Sequence, residues 1–69
     1  MIEFDLAGHD FIELHQLLKV TGLCESGGMA KLLVADGLVR VDGVAETRKR
    51  CKIRAGQTIE FDKHQVAVR

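Results

Sequence analysis

The sequence predicts an α+β fold, in which two angled helices pack on a small, mainly antiparallel β-sheet. Apolar residues recur at helical spacing between residues 11 and 35, whereas turn pairs and short apolar runs dominate from residue 38 onward. Only residues 23–25 separate the two predicted helices, which makes them pack as neighbours. The 69 residues contain no proline, and 46% of them are apolar and 29% charged, as in an ordinary globular protein. We therefore expect one domain over residues 1–69.

The first half of the chain begins with a predicted strand and continues into the first helix. Between residues 2 and 6, apolar residues alternate with acidic ones, which is the pattern of a half-buried strand, and Gly8 ends it. Asp10 is the predicted N-cap, because Glu13 follows three residues later as in a capping box, and Gly22 ends the helix. One helical face carries Phe11, Leu14, Leu17, Leu18 and Thr21.

The second helix is predicted to be short. Ser26 is its N-cap candidate and Gly37 its C-terminal stop. At 100° per residue Lys31 lies opposite the apolar stripe, so we expect it to face solvent or a ligand. That stripe consists of Met29, Leu32 and Leu33.

The second half of the chain carries strand and turn signals. Asp42-Gly43 stands between two valines, which is typical of a two-residue hairpin turn of type I′. Ala55-Gly56 and residues 62–64 are further predicted turns. Between and after them, residues 58–61 and 66–68 are predicted strands.

Basic residues are concentrated just after this hairpin. Five of the chain's ten basic residues lie within positions 48–54, whereas the formal net charge of the chain is zero. A chain without net charge has no bulk attraction for polyanions, so affinity for nucleic acid has to come from such a local patch. If this segment is extended, Arg48, Arg50, Lys52 and Arg54 share one side and Lys49 points away. A solvated loop is the alternative interpretation.

Other chemistry has weak support in the sequence. Phe4, Phe11 and Phe61 each stand in an apolar pattern and are predicted core residues, so recognition should depend on shape and phosphates rather than on base stacking. The histidines and the two cysteines, Cys24 and Cys51, lack zinc-ligand spacing, and no phosphate-binding glycine pattern occurs. We expect no metal, no cofactor, free thiols and no enzymatic activity.

A longer pattern spans residues 11–61. Its elements are a leucine-bearing helix, a Gly-Leu link, a Ser-capped second helix, a glycine-led hairpin strand, and a final glycine turn before an isoleucine strand. In this chain they are Leu14, Leu17, Leu18, Gly22-Leu23, Ser26, Ala30, Leu32-Leu33, Gly37 to Gly43, and Ile53 to Ile59.

This pattern resembles the small RNA-binding domain named after the fourth protein of the small ribosomal subunit. Over its full length the chain looks most like the short stand-alone YbcJ-like bacterial proteins of that superfamily. The resemblance implies an RNA-binding module with an αL motif, two angled helices backed by a small sheet. The candidate RNA-binding residues are Ser26, Lys31, Arg40, Arg48, Lys49, Arg50, Lys52 and Arg54.

The chain departs from the family pattern after Ser26. Many members have Arg there, where it contacts RNA, but this chain has Gly27-Gly28. The two glycines are either a loose helix start or a place where an RNA backbone approaches the helix N–H groups.

The expected partner is RNA, with rRNA and tRNA as candidates, and no membrane, because the longest uncharged apolar stretch is far shorter than the ~20 residues of a membrane span. We expect a cytoplasmic monomer that recognises structured RNA or a ribonucleoprotein particle. The alternative function is a protein-interaction adaptor that docks partners on its acidic and basic faces.

Overall fold

The computed structural model describes residues 1–69 and contains two helices and seven short strands. In chain order they are β1 (Ile2–Phe4), β2 (Ile12–Glu13), α1 (Leu14–Val20), α2 (Gly27–Ala35), β3 (Val39–Val41), β4 (Val44–Ala45), β5 (Lys52–Ile53), β6 (Thr58–Phe61) and β7 (His64–Val68).

Two sheets support the helices. The larger has the strand order β1-β7-β6-β3-β4, and only its β1–β7 pair is parallel. The smaller is an antiparallel ribbon of β2 and β5, with Ile12 opposite Ile53 and Glu13 opposite Lys52. Helix α1 packs against helix α2. The predicted α+β class, with two helices on a mainly antiparallel sheet, is confirmed.

The hairpin between β3 and β4 has the predicted turn. Asp42 and Gly43 both have positive φ, 52° and 84°, as a type I′ turn requires. The Asp42 side chain also accepts a hydrogen bond from the Thr58 backbone N–H at 2.9 Å, which ties the turn to β6. The predicted turn at residues 62–64 is one residue shorter than expected, because His64 already belongs to β7.

Helix α1 starts four residues after the predicted N-cap, so the prediction of a capping box was wrong. Asp10 lies in a bend, and Glu13 occupies the N-cap position without a side-chain hydrogen bond to the helix. Residues 12–13 form β2 instead, because β5 provides strand partners for their backbone. Tertiary pairing thus overrides the local helix signal here.

Helix α2 begins as predicted, but a different face of it is buried. The Ser26 hydroxyl oxygen accepts a hydrogen bond from the Met29 backbone N–H at 3.1 Å, which confirms the N-cap. The predicted stripe was wrong for two of its three residues, since Met29 and Leu32 are 46% and 68% exposed, whereas Leu33 is half-buried against the core. Ala30 and Val34 are buried in their place. The buried face of α2 is thus formed by Ala30 and Val34, and Met29 and Leu32 lie outside it.

The core is built from both helices and all of the longer strands. Leu6 and Cys24, outside the regular elements, belong to it as well. Phe4 and Phe61 are half-buried against it, whereas Phe11 is 37% exposed. The two helices have seven and nine residues, and neither could span a membrane. The fully buried large side chains are Leu14, Leu17, Leu18, Val34, Val39, Ile53, Ile59 and Val66.

Candidate nucleic-acid interface

The basic segment, residues 48–54, is attached to the start of helix α1 through its backbone. The first N–H groups of a helix have no partner within the helix. In this protein the Leu14 N–H donates to the Cys51 carbonyl at 2.9 Å, and the His15 N–H donates to the Lys49 carbonyl at 3.0 Å. The basic segment therefore has a fixed backbone and closes the helix end that Asp10 was expected to cap.

The His15 side chain strengthens this attachment. Its Nδ1 lies 2.9 Å from the Lys49 carbonyl oxygen, and because a carbonyl only accepts, Nδ1 carries the proton in this contact. The ring is largely buried, and its Nε2 lies 3.9 Å from a carboxylate oxygen of Glu13. Sequence reasoning considered His15 only as a metal ligand. No local signal could have shown this role, because the bond joins residues that are 34 positions apart.

Glu46 and Arg48 form an ion pair at the N-terminal end of the basic segment. The Glu46 carboxylate accepts hydrogen bonds from the Arg48 backbone N–H and from two guanidinium nitrogens, Nε and Nη2, each at 3.0 Å. These bonds lower the pKa of Glu46 from 4.5 to about 2, with the side-chain bond as the main cause, and they raise the pKa of Arg48. The Arg48 charge is therefore partly compensated within the protein.

The side chains of the basic segment converge on one shallow depression. Arg48, Arg50, Cys51 and Lys52 line it. The Cys51 N–H donates to the Arg48 carbonyl at 3.0 Å, so residues 48–51 form a turn rather than a strand. Only residues 52–53 are extended, so the expected alternation of sides holds for Lys52 and Arg54 alone. The depression nevertheless brings together three of the four basic residues that were expected on one side.

The two cysteines are free, and neither has the properties of a nucleophile. Burial raises the pKa of the Cys24 thiol. Partial burial, followed by the charge of Glu46, raises the pKa of the Cys51 thiol. Both thiols are therefore protonated at neutral pH.

Phe11 lies beside the basic segment, and the prediction that it is a core residue was wrong. Ile12 turns inward opposite Ile53, so the preceding residue takes the outward side of the ribbon. The Lys52 ammonium nitrogen lies 4.9 Å from the centre of the Phe11 ring, and the guanidinium carbon of Arg54 lies 5.7 Å from it. The register of β2 against β5 is thus what exposes the ring.

The remaining predicted site residues lie elsewhere. The Ser26 hydroxyl is engaged in the helix cap. Lys31 lies opposite the predicted apolar stripe of α2, as expected, but because Ala30 and Val34 form the buried face instead, its side chain is half-buried rather than fully exposed to solvent. Arg40 lines a second shallow depression, with the acidic Glu60 and Asp62. No group of three or more His, Cys, Asp or Glu side chains is placed to hold a metal ion.

Comparison with known families agrees with this architecture. The sequence model of the S4 domain matches residues 4–69, nearly the whole chain. The chain belongs to the S4 domain family. YbcJ of Escherichia coli (strain K12) is 54% identical over 68 residues, which cover 99% of this chain and 97% of that protein. YbcJ of Shigella flexneri matches with the same identity and coverage.

A solved S4-family structure shares the fold. The solution structure of E. coli YbcJ superimposes with a TM-score of 0.76, and the match covers 99% of this chain and 86% of that chain at 54% sequence identity. That structure is described as revealing an αL motif involved in RNA binding. The resemblance found in the sequence is therefore confirmed, and the α1–α2 pair is the αL motif of this chain.

Proposed function

We propose that this protein is a non-catalytic RNA-binding module that holds the phosphates of structured RNA, free or within a ribonucleoprotein particle, with its basic segment. The observation that carries the proposal is the combination of exposed cationic side chains with a backbone fixed on helix α1. A fixed backbone reduces the conformational entropy that is lost when the side chains bind a polyanion. The αL motif of YbcJ, described as involved in RNA binding, gives independent support.

Each basic residue has a specific place in this proposal. Arg50 and Lys52 contact phosphates from the shallow depression, and Lys49 and Arg54, their neighbours along the chain, add two further cations. Arg48 contributes less, because Glu46 already binds its guanidinium. The other proposed contacts, Ser26, Lys31 and Arg40, lie outside this depression, on α2 and β3, and would contact more distant parts of the RNA. The protein acts as a monomer in the cytoplasm, on an RNA such as rRNA or tRNA.

The test is binding to a hairpin RNA with an unpaired loop, measured across a range of salt concentrations. Four uncompensated cations that each neutralise a phosphate give a log–log salt slope of about −3, at ~0.7 per contact with single-stranded RNA. The double variant Arg50→Ala/Lys52→Ala should flatten that slope by about 1.4 units. Binding should weaken alike for all loop sequences, because phosphate contacts carry no base information.

The matched control is Lys19→Ala/Lys63→Ala, which removes the same charge from the far end of α1 and from the β6–β7 turn. This variant should keep nearly the whole slope, since it lies outside the basic segment. If both double variants flattened the salt slope equally, RNA binding would depend on the net charge of the protein and not on the basic segment. Undetectable RNA binding by the folded wild-type protein would reject the proposal.

A protein-interaction adaptor is the second candidate function. Met29 and Leu32 are one turn apart on α2, and both are exposed apolar side chains. Such a pair favours contact with another protein over contact with phosphates. An adaptor would leave RNA binding undetectable, whereas the RNA-binding module would bind RNA equally well after Met29→Gln/Leu32→Gln.

A further inference from the structure

Phe11 differs from the other two aromatic residues of the chain. Phe4 and Phe61 are half-buried against the core, whereas 37% of Phe11 is exposed. Its ring lies on the outward side of the β2–β5 ribbon, next to two basic residues of the basic segment. Both Lys52 and Arg54 approach it within 6 Å, at 4.9 and 5.7 Å from the ring centre.

Both cations are attracted to the ring, and each is also held by a second interaction. Their positive charges are attracted to the electron-rich face of the ring. The Arg54 Nη1 also approaches the Asp10 carbonyl oxygen, at 3.5 Å. The backbone of Lys52 is held by the β2–β5 pairing, in which Lys52 lies opposite Glu13. The result is a partly exposed aromatic ring with two cations over it, each within 6 Å of its centre.

This arrangement has the chemistry of a site for one unpaired nucleotide. Proteins that hold single-stranded RNA combine basic groups for the backbone with aromatic rings on which bases stack. A base in a duplex has its faces covered by its neighbours, so only an unpaired base can stack on a protein ring.

We propose that Phe11 stacks against one unpaired base of the bound RNA, while Lys52 and Arg54 hold the phosphates on either side of that nucleotide. The inference rests on the proposed RNA-binding function and adds a ligand class to it, since the site requires RNA with an unpaired nucleotide. It also replaces the expectation that this protein lacks an aromatic platform. Recognition then has two parts, phosphate contacts that depend on salt and a stacking contact that does not.

The salt dependence separates stacking from a purely structural role of the ring. Stacking releases no counterions, so its loss lowers affinity without changing the salt slope. If the ring only positioned Lys52 and Arg54, its loss would flatten the slope as the loss of a phosphate contact does.

The experiment uses Phe11→Leu, which keeps an apolar side chain and removes the π face, and Phe11→Tyr, which keeps the π face. The ligands are a hairpin RNA with an unpaired loop, the same hairpin with abasic sites placed in turn through the loop, and a blunt duplex. Phe11→Leu should bind the loop RNA about tenfold more weakly at an unchanged slope, and Phe11→Tyr should bind like the wild type. Neither variant should change binding to the duplex.

The abasic series supplies the second measurement. One abasic position should weaken wild-type binding as much as Phe11→Leu does, and it should cause no further loss in that variant, because both changes remove the same contact. A 2-aminopurine at that position should lose fluorescence when wild-type protein binds, which needs no variant at all.

The result that overturns the inference is loop-RNA binding by folded Phe11→Leu at wild-type strength, or a loss that comes with a flatter slope. In both cases the wild type still binds RNA with the expected slope, so the proposed function survives. Failure of the wild type to bind any of the RNAs overturns the inference and the proposed function together.

Discussion

The two helices of the αL motif begin in different ways. Helix α2 begins with a hydrogen bond from its own segment of chain, in which Ser26 accepts from the Met29 N–H. Helix α1 begins on carbonyls of Lys49 and Cys51, which come more than thirty residues later. The start of α2 needs only residues that are three positions apart in the chain. The start of α1 has its hydrogen bonds only when the basic segment has docked.

This difference separates two roles within the basic segment. Its backbone carbonyls contribute to the fold, because they accept hydrogen bonds from the first N–H groups of α1 and from the buried His15 ring. Its basic side chains lie outside the core, whereas Ile53 of the same segment is a fully buried core residue. Substitution of the basic side chains should therefore alter binding with little effect on stability, whereas loss of the anchor should alter both.

The largest effect on stability is expected from His15→Ala. The change removes a part-buried hydrogen bond to the Lys49 carbonyl and leaves a space in place of the ring, so we expect a loss of roughly 1–3 kcal/mol in the free energy of unfolding. His15→Asn is the control, because its amide nitrogen can take the place of Nδ1. Urea unfolding of the three proteins measures the difference. If His15→Ala unfolds like the wild type, the basic segment is not anchored through this ring.

A smaller effect is expected from Ser26→Ala, which tests the other helix start. Loss of the cap should cost about 1 kcal/mol, and Ser26→Asp should be nearly neutral because its carboxylate also accepts from the helix N–H groups. The affinity of the basic segment for RNA, corrected for the folded fraction, should change less than in His15→Ala. Thermal unfolding followed by circular dichroism provides the stability values. If Ser26→Ala lowered the free energy of unfolding as much as His15→Ala does, the two helix starts would contribute equally to stability.

The smallest effect concerns the Glu46–Arg48 pair and depends on pH. Because hydrogen bonds from Arg48 lower the pKa of Glu46 from 4.5 to about 2, the pair stabilises the folded state fully above pH 4.5. That contribution shrinks as the pH falls from 4.5 through about 2, because the carboxylate is protonated first in the unfolded state and in both states only below the folded-state pKa.

Glu46→Gln lacks this titration. The difference in urea midpoint between wild type and Glu46→Gln should be constant from pH 7 to pH 5 and should shrink below pH 4.5. A difference that stays the same down to pH 2 would show that the carboxylate charge contributes nothing to the folded state.

Features that depend on neighbouring residues were predictable from the sequence. The Asp42-Gly43 turn needs positive φ at two adjacent residues, and the Ser26 cap needs an acceptor close to the Met29 N–H. Both requirements are met within a few positions of the chain. The resemblance to the S4 domain rested largely on this kind of local spacing, together with the leucines of α1.

Features that depend on distant partners were not predictable. Asp10 and Glu13 fit a capping box, yet β5 pairs with residues 12–13 and the later carbonyls satisfy the helix N–H groups. The same pairing turns Phe11 outward. On α2 the apolar residues alone could not show which face is buried, because that depends on how α2 packs against α1 and the rest of the core, which buries Ala30 and leaves Leu32 exposed.

The sequence by itself determined the α+β class, the hairpin, the start of α2 and the concentration of positive charge in residues 48–54, since each follows from residues that are neighbours along the chain. Only the tertiary structure decided how that charge is presented. Hydrogen bonds to the start of α1 fix the backbone of the basic segment. Within the segment, Arg48 is paired with Glu46. Lys52 and Arg54 lie over the exposed ring of Phe11. The physical reason is that backbone groups must find hydrogen-bond partners in the folded molecule, and in this protein those partners come from distant segments.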